Sequence, residues 1–191
     1  MAGTGFRLPL LDPADASEGV RTALAGEPDL AILRVLAHAD SAFVPWLSYA
    51  KTLLRELRLA PALRELAMLR TARLASHGEY EWAQHVSLAQ ACGVRAEQIA
   101  AVAEGRITDS RLFDSVQRDI LAATDSLVND GEVSSEQAEQ LALALSVGEI
   151  VELALIVGHI MLLSRLSASF GLQPEAPAGE ILLQRSGTTP T

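Results

Sequence analysis

The sequence predicts an all-α protein, and three observations predict it. Apolar residues make up 49% of the chain while aromatics make up only 4%, so the apolar content is largely alanine and leucine, both strong helix formers. Helix punctuation recurs at short intervals: S-x-x-Q or S-x-x-E capping boxes open segments at Ser134/Gln137 and Ser146/Glu149, and Gly93 and Gly105 follow helical runs as left-handed terminators. Between these signals apolar residues gather on one helical face, as Leu30, Leu33, Val35 and Leu36 do. At 191 residues the chain suits one domain with a substantial core. We expect a helical domain over 1–173 and a tail over 174–191.

Taken in order, Met1 to Pro13 reads as an extended leader. Ala14 to Ala25 is a short amphipathic helix ending at Gly26, and Asp29 is placed to cap a helix over Leu30 to Ala39. Phe43 to Leu57 forms the next helix. Pro61, favoured at a first helical position, opens another to about Ala75. After the tight connection Ser76 to Glu79, a helix runs from Tyr80 to Cys92 and a shorter one from Arg95 to Glu104. Asp109 or Ser110 caps a long helix from Arg111 to about Val128, the Ser134 box starts one ending near Leu145, and the Ser146 box starts one ending near Gly171. Ile150 to Leu163 is the most hydrophobic stretch, interrupted by Glu152 and His159. It is shorter than the roughly 20 apolar residues a membrane span needs, so it is expected to be a helix hidden on nearly all sides, within the fold or between subunits.

Composition also excludes classes of function. A net charge of −9 argues against nucleic acid as a partner, since phosphate binding needs a basic patch. The start of the chain lacks the pattern of a secretory signal, no membrane partner is expected, and a cytoplasmic protein is the expectation. The one cysteine, Cys92, can form neither an intrachain disulfide nor a C-x-x-C pair, which leaves it a small buried residue or a lone reactive thiol.

The densest group of chemically capable side chains is Tyr80-Glu81-Trp82-Ala83-Gln84-His85. Glu81 and His85 are four apart and share a helical face; a carboxylate beside an imidazole fixes its tautomer and raises its basicity, as a general base needs. Tyr80 adds a phenol able to donate to an oxyanion. A tight turn at Gly78 would fold the preceding helix back and bring Glu65 towards His85. The alternative is an amphipathic helix with acidic residues at its N-terminus, Trp82 and Val86 in the core, and Glu81–His85 as a surface pair contributing ~0.2–0.5 kcal/mol. Spacing alone favours that alternative. A metal set of His77, Glu81 and His85 needs a helix that starts before Gly78, and no H-E-x-x-H signature supports it. His159 lies on the same face as Glu152, seven residues earlier; it reads as a satisfied core or interface histidine, or as a second imidazole facing the His85 cavity.

Three blocks carry a resemblance: Arg64-Glu65-Leu66-Ala67-Met68-Leu69-Arg70, Tyr80-Glu81-Trp82-Ala83-Gln84-His85 and Ala91-Cys92-Gly93-Val94. Together they resemble the carboxymuconolactone decarboxylase family, in the branch whose signature reads Y-E-W-x-x-H. Arg7 to Pro13 and Val151 to His159 are similar to that branch too. The resemblance implies the helical fold of alkyl hydroperoxide reductase D and a homo-oligomer, a trimer or hexamer with a dimer as the alternative. Peroxidase members of the family carry C-x-x-C followed by histidine, with a glutamate on the preceding helix. Here His85 matches the histidine, Glu65 falls within one residue of the glutamate, and Gly78 and Glu81 stand at the cysteine positions. Without the dithiol, peroxide reduction is not expected. What the resemblance implies is cofactor-free acid–base chemistry on a small organic acid, lactone or carbonyl compound. His85, Glu81, Tyr80 and Glu65 would be catalytic, with Trp82, His159 and His77 binding the substrate and no metal. A non-catalytic oligomeric binding protein is the rival.

Overall fold

The computed structural model describes residues 7–175. A 3-10 turn at Pro13–Asp15 leads into helices α1 (Glu18–Leu24), α2 (Ala31–Leu36), α3 (Asp40–Arg55), α4 (Pro61–Leu74), α5 (Glu79–Ala91), α6 (Ala96–Glu104), α7 (Ser115–Asn129), α8 (Ser135–Ala142) and α9 (Val147–Ser169), with no strand among the described residues. The all-α expectation holds. Of the tail expected over 174–191, residues from 176 on lie outside the described ones.

The bundle is built around α4, which packs against α5, α6, α7 and α9. Every residue from Arg64 to Ala72 is buried, so α4 has no solvent face over that span. Leu66 and Leu69 pack towards α6 and α7, while Ala67, Met68 and Ala72 pack towards α9. A third cluster joins α1, α2 and α3 to Tyr80 of α5 and Leu163 of α9. Burying α4 entirely forces its charged side chains to find partners. Arg70 does so through two bonds to Asp125 of α7, Nε–Oδ1 at 2.6 Å and Nη2–Oδ2 at 2.7 Å. Glu65 does so across the α4–α5 contact, described below.

The α4–α5 connection is as tight as expected. His77 takes a left-handed φ of 68°, and a Cβ built on Gly78 would lie 1.9 Å from the Ala72 carbonyl oxygen. The absence of a side chain at Gly78 therefore sets how closely α5 folds back on α4.

Several boundaries differ from expectation. The long seventh helix begins at Ser115, capped by Asp114 in a box with Gln117, while Asp109 instead binds Arg111. Asp29 does not cap α2; the Ala31 N–H donates to Glu175 at the far end of the chain. Within the single chain α9 is covered on one face. Leu153, Ile156, Val157 and Ile160 enter the core, but Val147, Val151, Leu155 and Leu162 face outwards. α9 runs from the Ser146 box to Ser169, as expected; at 23 residues it is long and apolar enough, by length and composition, to cross a membrane, and in the chain its inner face is part of the bundle core.

Candidate functional site: a buried Glu65–His85 pair at a partly open cavity

α4 and α5 place their charged residues face to face. His85 Nδ1 lies 2.9 Å from Glu65 Oε2, with both side chains buried. This pairing crosses two helices; the helical neighbour Glu81 has a different partner. The Ser167 hydroxyl of α9 donates to Glu81 Oε1 at 3.2 Å. The surface Glu81–His85 pair considered from spacing is therefore not what forms, since both residues are buried and each is held from another helix.

Tyr80, Glu81, Gln84, His85 and Leu88 form one stripe along α5, and that stripe is one wall of a cavity of about 90 Å³. The opposite wall comes from α2, α3 and α9 and includes Ile32, Trp46, Leu47, His159 and Leu163. That volume has room for several waters or a ligand of a few heavy atoms. Its lining is mostly apolar, with Glu27, Lys51 and Arg55 towards one side; Lys51 Nζ lies 2.6 Å from Glu27 Oε1.

Burial and charge set the protonation states. Burial drives the His85 imidazole towards neutrality, but the Glu65 charge, its hydrogen bond and the Glu81 charge outweigh burial and raise the His85 pKa above 6.5. Burial raises Glu81 to about 7, partly offset by the His85 charge and the Ser167 bond. Burial lowers His159 to about 4, and the His85 charge acts in the same direction. Burial, with the nearby Glu175 carboxylate, keeps the Tyr80 phenol firmly protonated. The cavity thus holds an imidazole whose protonated form Glu65 favours, a carboxyl poised near half-ionisation at neutral pH, a neutral imidazole and a phenol donor.

Of the residues selected from the sequence, Glu65, Tyr80, Glu81, His85 and His159 are brought together. His159 does not pair with Glu152, whose carboxylate accepts the Arg58 and Leu59 N–H groups at 3.2 and 2.8 Å. Instead its ring stacks on Trp46 with centroids 6.0 Å apart and meets Tyr49 edge-on at 5.6 Å, and its Nδ1 is buried with no partner among the described residues. Trp82 and His77 do not line this cavity. Trp82 lies about 120° round the helix from the centre of the cavity stripe. It packs into the core beside α4, α6 and α7 and borders a separate groove with Gly78 and Arg73. His77, turned out by its left-handed backbone, borders surface grooves beside α9. With His77 so placed, the trio His77, Glu81 and His85 does not converge, and no metal-holding group is found among the described residues. Cys92 sits at the C-terminal end of α5, off the cavity wall, with its thiol pushed up to about 11 by burial.

Sequence reasoning missed Trp46, Ser167, Arg55 and Glu175. Trp46 and Arg55 belong to α3, whose approach to the cavity is tertiary. Glu175, in a segment read as loose, binds Tyr80.

The sequence matches no protein-family model and no curated protein. Solved structures do match. The alkylhydroperoxidase AhpD core protein of Ralstonia eutropha, an uncharacterised peroxidase-related protein, aligns with a TM-score of 0.76 at 19% identity, covering 98% of this chain and 100% of that one. An Agrobacterium tumefaciens protein of unknown function, linked by its description to the antioxidant defence protein AhpD, aligns with a TM-score of 0.65 at 19% identity over 74% of this chain and 96% of that one. The debrominase Bmp8, as a cysteine-to-alanine variant in complex with 2,3,4-tribromopyrrole, aligns with a TM-score of 0.65 at 18% identity over 97% and 98%. At such identities the likeness establishes the fold alone: the chain has the all-helical AhpD-like fold.

Proposed function

We propose that this chain is a carboxymuconolactone-decarboxylase-like enzyme of the Y-E-W-x-x-H branch, working by cofactor-free proton transfer on a small organic acid, lactone or carbonyl compound. The observation that carries this reading is the buried Glu65–His85 pair beside a partly open apolar cavity. With Nδ1 engaged by Glu65, Nε2 is the nitrogen left for a ligand, and the Glu65 carboxylate favours the protonated form of the imidazole. In a decarboxylation, the bond between the substrate carbon and its carboxylate breaks and CO₂ departs. The electron pair then remains as an enolate or dienolate. His85 delivers its proton to that carbon and is reprotonated from water; in an isomerisation the same proton moves between two carbons. The neutral His159 ring is suited to hydrogen-bonding the developing oxyanion, the Tyr80 hydroxyl to holding the substrate, and Glu81, near half-ionisation, can take or return a second proton. Binding of 2,3,4-tribromopyrrole by the debrominase Bmp8 supports a compact cyclic ligand in this fold.

Peroxide reduction is disfavoured by the residues themselves. Gly78 and Glu81 supply no dithiol, and the remaining thiol, Cys92, is held protonated off the cavity. The second reading, a non-catalytic small-molecule-binding protein, draws on the mostly apolar lining of the cavity. Both readings place the protein in the cytoplasm as a homo-oligomer that contacts neither nucleic acid nor membrane.

Replacing His85 by Ala separates them. A panel of small lactones and keto acids would be followed by CO₂ release and by solvent deuterium incorporation. Under the enzyme reading, H85A loses about 10²–10⁴ in turnover while its helix content by circular dichroism is retained, its melting temperature falling because Glu65 is left buried without its partner. Glu65→Gln leaves burial to dominate, lowers the His85 pKa and moves the alkaline limb of the pH–rate profile to lower pH. Turnover unchanged in H85A would sink the enzyme reading.

A further inference from the structure

The last described residue of the chain lies against the cavity wall. Glu175 Oε1 accepts the Tyr80 hydroxyl at 2.7 Å and the Ala31 backbone N–H at 2.8 Å, and the Glu175 backbone oxygen lies 3.5 Å from Gln84 Nε2. Tyr80 and Gln84 both line the cavity. The Tyr80 oxygen also lies within 3.4 Å of the Ile32 N–H, which donates to it, so the phenol proton is directed at Glu175. These contacts span 144 residues between Ala31 and Glu175 and 95 between Tyr80 and Glu175. No local turn requires them.

Two features oppose this arrangement. The second carboxylate oxygen, Glu175 Oε2, is buried with no partner among the described residues, and a buried acceptor left unmatched is destabilising. The Glu81 carboxyl is close enough for the Glu175 charge to act on it unfavourably. The carboxylate is therefore well bound at one oxygen and poorly housed at the other. A ligand carboxylate that satisfied both oxygens would compete with it on equal charge, leaving the electrostatics of the cavity unchanged.

We propose that the Tyr80 hydroxyl and the Ala31 N–H form a carboxylate subsite at the cavity wall, occupied in the unliganded chain by Glu175, which a ligand carboxylate displaces. The proposal deepens the reading of the cavity as a substrate site and rests on it. It identifies the substrate class as a carboxylic acid and assigns residues 172–175 the role of an internal competitor. When the latched state holds about nine-tenths of the molecules, releasing it raises apparent affinity about tenfold.

The test uses the full chain and two probes of equal size, acetate and its neutral counterpart acetamide, with binding followed by NMR titration. Glu175→Ala is expected to bind acetate about tenfold tighter than the unsubstituted protein, with no gain for acetamide. Adding Tyr80→Phe to Glu175→Ala is expected to remove the gain. Glu175→Gln, which keeps the size but not the charge, should fall between the two and guards against a fold defect in the alanine variant. Equal acetate affinity in all variants, a gain shared by acetamide, or a gain that survives Tyr80→Phe would each overturn the subsite and leave Glu175 as a structural tie. Because the readout is binding, the two proposals fail separately. An acetate gain without turnover of any substrate keeps the subsite and rejects the enzyme; turnover without the gain does the reverse.

Discussion

At the residue scale, Glu81 and His159 are buried on opposite walls of one cavity and are both held neutral by burial, which gives them opposite pH linkages. Glu81 ionises near 4.5 in an unfolded chain but near 7 in the fold. Its contribution is fully present below pH 4.5 and is lost as pH rises towards 7, by about 3 kcal/mol. His159 protonates near 6.5 when unfolded and near 4 in the fold. Its contribution is present above pH 6.5 and is lost as pH falls towards 4, by a similar ~3 kcal/mol. Between pH 4.5 and 6.5 the unfolded chain gains a proton at one residue and loses one at the other, so the two slopes cancel. Urea denaturation across that window checks this. The unsubstituted protein is expected to show no net slope from this pair. Glu81→Gln should gain stability with rising pH at about 1.4 kcal/mol per pH unit, and His159→Phe should lose it at a similar rate. Parallel profiles for all three proteins would show that the two groups do not titrate as the fold implies.

At the element scale, α4 and α5 make the site, and their separation depends on Gly78. A methyl group there meets the Ala72 carbonyl oxygen at 1.9 Å, a backbone atom that cannot swing away. Gly78→Ala is therefore expected to cost about 1–3 kcal/mol in denaturant unfolding and to weaken the Glu65–His85 contact by pushing α5 outwards. A lower histidine pKa, read by NMR titration, would report that loosening. The same clash means that a cysteine placed at this position would require a helix to move. Local chemistry is what the sequence displays most openly. The Ser134 and Ser146 boxes and the Gly93 and Gly105 terminators appear where expected, because each works within a few residues. The start of α7 was equally legible in Asp114 and Gln117, but the earlier Asp109 offered a competing cap. The cap of α2 was not legible, because its acceptor comes from Glu175. The site divides in the same way. Glu65 and His85 follow from a tight turn between antiparallel helices. Trp46 and Ser167 depend on how α3 and α9 cross α5, which no spacing within one helix records.

At the scale of the whole molecule, the outer face of α9 is the feature the single chain leaves unexplained. Val147, Val151, Ala154, Leu155, Gly158 and Leu162 are exposed and fall within about 100° of one another round the helix. Val147 is 78% exposed, and Leu143, just before the helix, is 80% exposed. An uncharged apolar stripe of this length on the outside of a helical bundle marks a contact surface. A second copy of the chain is the occupant proposed here. With a net charge of −9, two copies repel over most of their surfaces, and they repel least across a stripe that carries no charge. Tyr49, itself exposed, touches the cavity residue His159 from the neighbouring helix α3, so a copy seated on this side would also cover the outer wall of the cavity. Val151→Glu and Leu155→Glu place charges on the stripe without touching the core, and each is expected to convert an assembly into a chain of 20.3 kDa in sedimentation velocity at micromolar concentration. The charge should act through association alone, so helix content by circular dichroism should not change. A monomeric unsubstituted protein, or variants that sediment as it does, would assign the stripe to some partner other than a second copy.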